Sequence, residues 1–251
     1  MANEYAVNQA DLTAVADAIR EKGGTSEALS FPQGFVDAVG AIQAGGDDTS
    51  LKDIIEGTAV NPTMPEDLTK IRGYAFRECN DLALTELPSG VTSIGAYAFY
   101  RCTSLALTEL PSGVTSVGNY AFDGCSELGL TSLPDGITEL GSNAFNSCDK
   151  LKITRLPAAL SVVPNGAFAN LDSITTLTIP DGITEIKMNA FTGDYNLKEV
   201  TFEGTPSTIA NTAFNACNAL LTINVPWAEG AVANAPWSAT NATINYNYTG
   251  G

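Results

Sequence analysis

Along most of this chain, large apolar side chains recur at fixed offsets within a 23-residue period. The pair Ala-Phe places Phe at 76, 99, 122, 145, 168, 191 and 214, so every interval is 23 residues. Three positions after that Phe stand Cys79, Cys102, Cys125, Cys148, Leu171, Asp194 and Cys217. Six after it stand Leu82, Leu105, Leu128, Leu151, Ile174, Leu197 and Leu220. Eleven after it stand Leu87, Leu110, Leu133, Leu156, Ile179, Phe202 and Val225, with Pro next in every repeat except that of Phe191. Eighteen after it stand Ile94, Val117, Leu140, Val163, Ile186 and Ile209, and mostly polar residues fill the gaps. Self-similarity at a fixed period of about 20–50 residues marks a stacked repeat architecture.

Within one repeat, Leu105 to Leu110 and Val114 to Val117 have strand character. Each is bounded by Pro or Gly, which cannot continue a ladder. The compact, Ala-centred stretch Gly118-Asn119-Tyr120-Ala121-Phe122 predicts one helical turn. A single coil of this kind buries too little apolar surface to offset the entropy of ordering its backbone. Stacked coils bury one another's faces and pair one another's strand edges. The expected fold is therefore an α/β, strongly β-rich solenoid. It is a right-handed coil of seven 23-residue repeats over residues 66–226, with parallel β ladders and short helical turns.

The flanks follow other rules. Leu12, Val15, Ala16 and Ile19 lie on one face of a helix, with Asn8 as N-cap and Gly23 as stop. Phe35, Val39 and Ile42 give a second amphipathic stretch that ends at Gly45-Gly46. Residues 1–46 thus predict an N-terminal helical hairpin, too small to bury both apolar faces alone. Two roles fit it: a cap on the first coil, or a dock for another subunit or particle. Residues 47–65 read as a degenerate capping coil without Ala-Phe, and 227–251 as a C-terminal cap. In that cap, Thr243-Ile244-Asn245-Tyr246-Asn247-Tyr248 alternates as an edge strand would.

The repeat columns resemble the BspA-type leucine-rich repeats, whose signature is I-G-x-x-A-F-x-x-C-x-x-L followed by a strand ending in I-P. Cys102-Thr103-Ser104-Leu105 and Ile179-Pro180-Asp181-Gly182-Ile183 match it almost letter for letter. Repeats one to four depart from it, reading L-x-L-T-x-L-P where the family more often has L-x-x-L-x-I-P. The resemblance implies a bacterial surface or secreted protein that binds and does not catalyse. The flanks, Ala10 to Arg20 with Phe31-Pro32-Gln33-Gly34-Phe35 and Val225 to Tyr248, resemble segments of prophage-encoded tail or virion-surface proteins of Gram-positive bacteria.

Charge and composition narrow the chemistry. Lys and Arg total 12 against 28 Asp and Glu, a formal charge of −16 in 251 residues. The first 66 residues alone hold 11 acids and 3 bases. Such a surface repels phosphate backbones and anionic lipid, so nucleic acid is not an expected partner. No run of 18 apolar residues exists, so membrane insertion is not expected, and the first twelve residues do not read as a secretory signal. Histidine is absent, which removes the commonest general base and metal ligand together. The five cysteines form one column. Stacked side chains point in parallel, whereas a disulfide needs Cβ atoms about 3.8 Å apart, so they are expected to be free, buried thiols. No catalytic, metal or cofactor site is expected.

Recognition would then live in surface columns. Tyr74, Tyr97 and Tyr120 stand two residues before Phe in the first three repeats, with Tyr100 and Arg101 beside them. They either cover the edge of the helical turn or meet carbohydrate or protein, for which aromatic side chains supply area at low entropy cost. The Thr column (Thr92, Thr115, Thr138, Thr184) reads as a solvated β face. Glu86, Glu109, Glu139 and Glu185 recur by repetition without an acid–base pair singled out. The function expected is non-enzymatic: a prophage-derived, virion-associated or surface-recognition solenoid. Its partners would be protein or glycan on a cell surface, with virion or homo-oligomer contact through residues 1–46. The alternative is an extracellular, cell-surface adhesin of the BspA kind, binding host matrix or other cells.

Overall fold

The computed structural model describes Met64 and residues 66–250. The helical hairpin expected over 1–46, and all but Met64 of the coil expected over 47–65, lie outside the described residues. The sequence period becomes a parallel β-solenoid of about eight turns. Coils 1 to 7 are numbered here by their Ala-Phe pairs.

One strand column precedes each Phe. It comprises β1 (Lys70–Ile71), β2 (Ser93–Ile94), β3 (Ser116–Val117), β4 (Glu139–Leu140), β5 (Val162–Val163), β7 (Glu185–Ile186) and β9 (Thr208–Ile209). Every pairing is parallel and one period apart, as in Ile71↔Ile94 and Val117↔Leu140. The residue after each strand donates its N–H one coil back: Gly95 to the Ile71 carbonyl and Gly118 to Ile94, both at 2.8 Å. Coils approach so closely here that a Cβ on Gly95 would lie 2.3 Å from the backbone nitrogen of Gly73. In coil 5 that position is Pro164, which has no N–H to give. The column accordingly breaks into two sheets, β1 to β4 and β5-β7-β9.

A second column follows each Phe, and here the expected strands form in only part of the molecule. It contains β6 (Thr176–Ile179), β8 (Glu199–Phe202), β10 (Thr222–Asn224) and β11 (Thr243–Asn245), a parallel sheet in coils 5 to 7 and the turn beyond. The stretch Leu105 to Leu110 is not a strand, nor are its equivalents in coils 1, 3 and 4. The L-x-L-T-x-L-P variation supplies the reason. In coil 2 the buried residues are Leu105, Leu107 and Leu110, so Thr108 and Glu109 face outward in succession. In coil 5 they are Ile174, Leu177 and Ile179, and the last two restore strict alternation before the proline. A strand needs period two, and the first four coils lose it where the ladder would run.

The Ala-Phe segment is not a helical turn. Its N–H groups divide between two directions. Tyr74, Phe76 and Glu78 donate to the carbonyls of Ala96, Ala98 and Tyr100 in the next coil, at 2.9, 2.7 and 2.6 Å. Ala75, Arg77 and Cys79 donate within their own coil, to Arg72, Tyr74 and Phe76. An α-helix would keep all these donors on carbonyls four residues back. Alternate donation requires left-handed residues two before and two after Phe. Those sites are Tyr74 and Glu78, Tyr97 and Arg101, Tyr120 and Gly124, Asn143 and Ser147, Gly166 and Asn170, and Asn189 and Gly193.

The core is one continuous cluster. Its axis is the Phe column, whose adjacent rings lie 5.1–6.1 Å apart and within 10° of parallel. Trp227 and Trp237 are buried edge-on to one another at its end, and Trp227 also packs edge-on against Phe202. Phe145, fully buried in a central coil, has rings on both faces. Phe145→Ala is expected to cost about 3–5 kcal/mol in chemical denaturation, because a rigid stack cannot collapse on the cavity.

Candidate functional site

Three of the left-handed positions carry tyrosines at the surface, whereas the other aromatic residue in this conformation, Trp237, is fully buried. For residues with a Cβ this conformation costs about 1–2 kcal/mol, and a bulky aromatic there is an outlier. Coils 4 to 6 place Asn143, Gly166 and Asn189 in the column before Phe, the residue types that suit it. Coils 1 to 3 place Tyr74, Tyr97 and Tyr120 there instead, with φ of 63°, 58° and 56°. The column after Phe is similar: Glu78 and Arg101 occupy it where later coils have Gly124, Ser147, Asn170 and Gly193.

The tyrosines expected as candidates do come together. Tyr74 and Tyr97 stack at 5.0 Å and 8°, and Tyr97 and Tyr120 at 4.8 Å and 12°. Tyr100 meets the Tyr97 ring edge-on at 5.5 Å. Both faces of Tyr97 are therefore occupied by its neighbours. What Tyr97 can present outward is its ring edge and hydroxyl, whereas Tyr74 and Tyr120, at the ends of the row, each have one tyrosine neighbour. Partial burial, with Tyr120, Tyr74 and Tyr100 nearby, raises the Tyr97 phenol above its ordinary value, so it is neutral at pH 7.

Arg101 lies over the Tyr100 ring, its guanidinium carbon 5.1 Å from the centroid. Arg77, which the sequence reading did not single out, lies 5.5 Å from Tyr100 and 6.0 Å from Tyr74. Its signal was present, since Arg77 stands one period before Tyr100. Arg77 also pairs with the exposed Glu78 at 3.1 Å, while its buried Nε has no partner. The site is a tyrosine row flanked by two guanidinium groups held on aromatic rings.

Other columns have structural work. The hydroxyls of Thr92, Thr115 and Thr138 donate to the carbonyl of Thr69, Thr92 and Thr115 respectively, one coil back. A groove beside Glu86, Pro88, Glu109 and Pro111 runs to Met64 at the limit of the described residues. Among the described residues no group of His, Cys, Asp or Glu is arranged to hold a metal ion. Among the described residues no helix is long and apolar enough to cross a membrane.

The cysteines are all free, but one departs from expectation: Cys79 is only half-buried. Cys102, Cys125, Cys148 and Cys217 each donate S–H to the carbonyl of a Phe in the preceding coil, at 2.8–3.1 Å. Among the described residues Cys79, in the first Ala-Phe coil, has only a 3.9 Å contact with the carbonyl of Arg77. Burial raises its thiol to about 11 and that of Cys217 to about 12. Thiol labelling of the native protein is expected to modify Cys79 first, slowly, with the other four protected until denaturation.

Asp194 occupies the same column in coil 6, buried, with its Oδ1 accepting the Leu171 N–H at 2.8 Å. Burial pushes its carboxyl well above the ordinary carboxylate range, against the opposing effect of that hydrogen bond. The folded state therefore favours the protonated acid. Its contribution to stability is full below the unfolded carboxyl range near pH 4 and is lost as pH rises through the raised folded value. Asp194→Asn is expected to raise the melting point at neutral pH, with the gain over the parent shrinking towards pH 4.

Residues 58–175 and 131–234 match the model of the BspA type leucine rich repeat region, in six copies. No curated protein matches the chain. Among solved structures, the T. pallidum leucine-rich repeat protein TpLRR is 24% identical, with a TM-score of 0.43 over 66% of this chain and 72% of its own. A leucine-rich repeat protein from Bacteroides ovatus is 19% identical, with a TM-score of 0.33 over 71% of this chain and 64% of its own. A leucine-rich cell surface protein from Faecalibacterium prausnitzii is 20% identical, with a TM-score of 0.28 over 76% and 79%.

Proposed function

The chain belongs to the BspA-type leucine-rich repeat family, and from that premise we propose that it is a recognition protein, not an enzyme, which binds its target through the tyrosine row of coils 1 to 3. The observation that carries this reading is the backbone conformation. Three consecutive coils hold tyrosine in a left-handed position where the next three hold Asn or Gly. Strain of this kind persists where the side chain is needed for something other than stability. A solenoid also holds its surface ready-made, so binding spends little free energy on ordering. The stacked row favours a protein target over a carbohydrate, because both faces of its central ring, Tyr97, are covered. The setting proposed for this prophage-derived protein is a virion or a cell surface, with residues 1–46 as the attachment module. This draws on the resemblance of the flanks to prophage-encoded proteins.

The test uses substitutions this fold already accommodates. The full chain is expected to give hits on an array of cell-surface proteins and glycans. A variant with Tyr74→Asn, Tyr97→Asn and Tyr120→Asn should lose those hits while keeping or raising its melting point. Retention of the hits would overturn the tyrosine row as the site. Removal of residues 1–46 should leave array binding intact and abolish association with phage particles.

A further inference from the structure

We infer that the Arg77–Tyr100–Arg101 cluster beside the tyrosine row is a carboxylate-binding subsite for an acidic segment of a protein partner. This rests on the recognition reading above and adds the chemistry of the ligand. Three observations converge on it. The charge of the chain is −16, yet residues 70–101 carry four bases (Lys70, Arg72, Arg77, Arg101) against three acids (Glu78, Asp81, Glu86). Both guanidinium groups rest on Tyr100, with their carbons 5.5 and 5.1 Å from its centroid. Stacked guanidinium groups are pre-positioned, and their planar forks match carboxylates. Finally, the stacked row presents ring edges, the electropositive part of an aromatic ring, beside these cations.

Glu78 completes the argument. It occupies a left-handed position with φ of 60°, and its Oε1 accepts from Arg77 at 3.1 Å. A carboxylate of the chain's own thus sits on one of the two cations, and a partner's carboxylate would displace it. On the other side, the Asp123 carboxylate accepts from Asn146 at 2.8 Å and is also drawn to Arg101, so a partner's carboxylate would compete with it there. An acidic peptide is favoured over a sulfated glycan because the positive spot is local. A polyanion charged along its whole length would be repelled by the rest of the solenoid, whereas one or two clustered carboxylates meet the two arginines against the local opposition of Glu78 and Asp123 alone.

The experiment selects twelve-residue peptides from a random displayed library on the full chain. Binders are titrated against the parent and against Arg77→Asn, Arg101→Asn, Glu78→Ser and the triple Tyr→Asn variant. The new side chains already occur in these columns at Asn146, Asn170 and Ser147. The expected peptides are enriched in Asp and Glu. Each arginine change, or replacement of the peptide's acids by Asn and Gln, should weaken them about tenfold. Glu78→Ser should tighten them several-fold, and added salt should weaken them. Neutral or basic peptides, acidic peptides indifferent to both arginines, or an empty selection would overturn the inference. So would Arg-dependent binding of a sulfated heparin oligosaccharide alone. Peptides lost with the tyrosines but indifferent to the arginines would leave the recognition reading standing and remove only the carboxylate subsite. Acidic peptides indifferent to both would remove the two together.

Discussion

Alternate residues of each Ala-Phe segment donate their N–H groups to the next coil, and the remaining features follow from that constraint. Because Tyr74, Phe76 and Glu78 reach Ala96, Ala98 and Tyr100, successive coils are locked in register residue by residue. The backbone must alternate between right- and left-handed conformations to aim those donors outward. Phe rings then stack at the separation the coils impose, and Gly95 is required where neighbouring backbones nearly touch. The cysteine column belongs to the same device. The carbonyl of Phe76 takes the N–H of Cys79 in its own coil and the S–H of Cys102 from the next. A small side chain with a weak donor fills the slot and satisfies a buried acceptor together.

Departures from the repeat show what each column does. Pro164 deletes one donor, and a seven-member strand column divides in two at that point. Leu171 cannot donate as Cys does, and the buried Asp194 carboxyl of the next coil takes the Leu171 N–H. Moving one inward residue, from Leu107 in coil 2 to Leu177 in coil 5, separates an irregular edge from a four-stranded sheet. These changes cluster around coils 4 and 5. The molecule is one solenoid with two kinds of coil.

The candidate site inherits its spacing from the same lock. A residue type repeated at one surface position becomes a row with the period of the coils, so three tyrosines give a stack at 5.0 and 4.8 Å without further design. The repeat does not explain why those positions hold tyrosine and arginine at all. The backbone there prefers Gly or Asn, which the later coils supply. In coils 1 to 3 the left-handed backbone thus carries side chains that it disfavours, on a surface that is aromatic and holds Arg77 and Arg101.

By itself the sequence determined the period, the core columns, the parallel pairing and the solenoid. Each inward position repeats its chemistry every 23 residues, and only stacked coils bury such a pattern. It also located the tyrosines and Arg101. Tertiary structure decided the rest. Gly, Asn, Tyr and Ala are compatible with a helical turn, and only the neighbouring coil, by taking alternate N–H groups, makes that segment a different turn. The strand expected at Leu105 to Leu110 depended on which of two adjacent residues points inward, a choice made by packing across coils. That the tyrosine faces cover one another, that Arg77 lies over Tyr100, and that Cys79 is left half-buried are likewise relations between residues about 23 positions apart. Sequence spacing places such residues on the same column, but the distance and tilt between them come from the hydrogen bonds that hold one coil on the next.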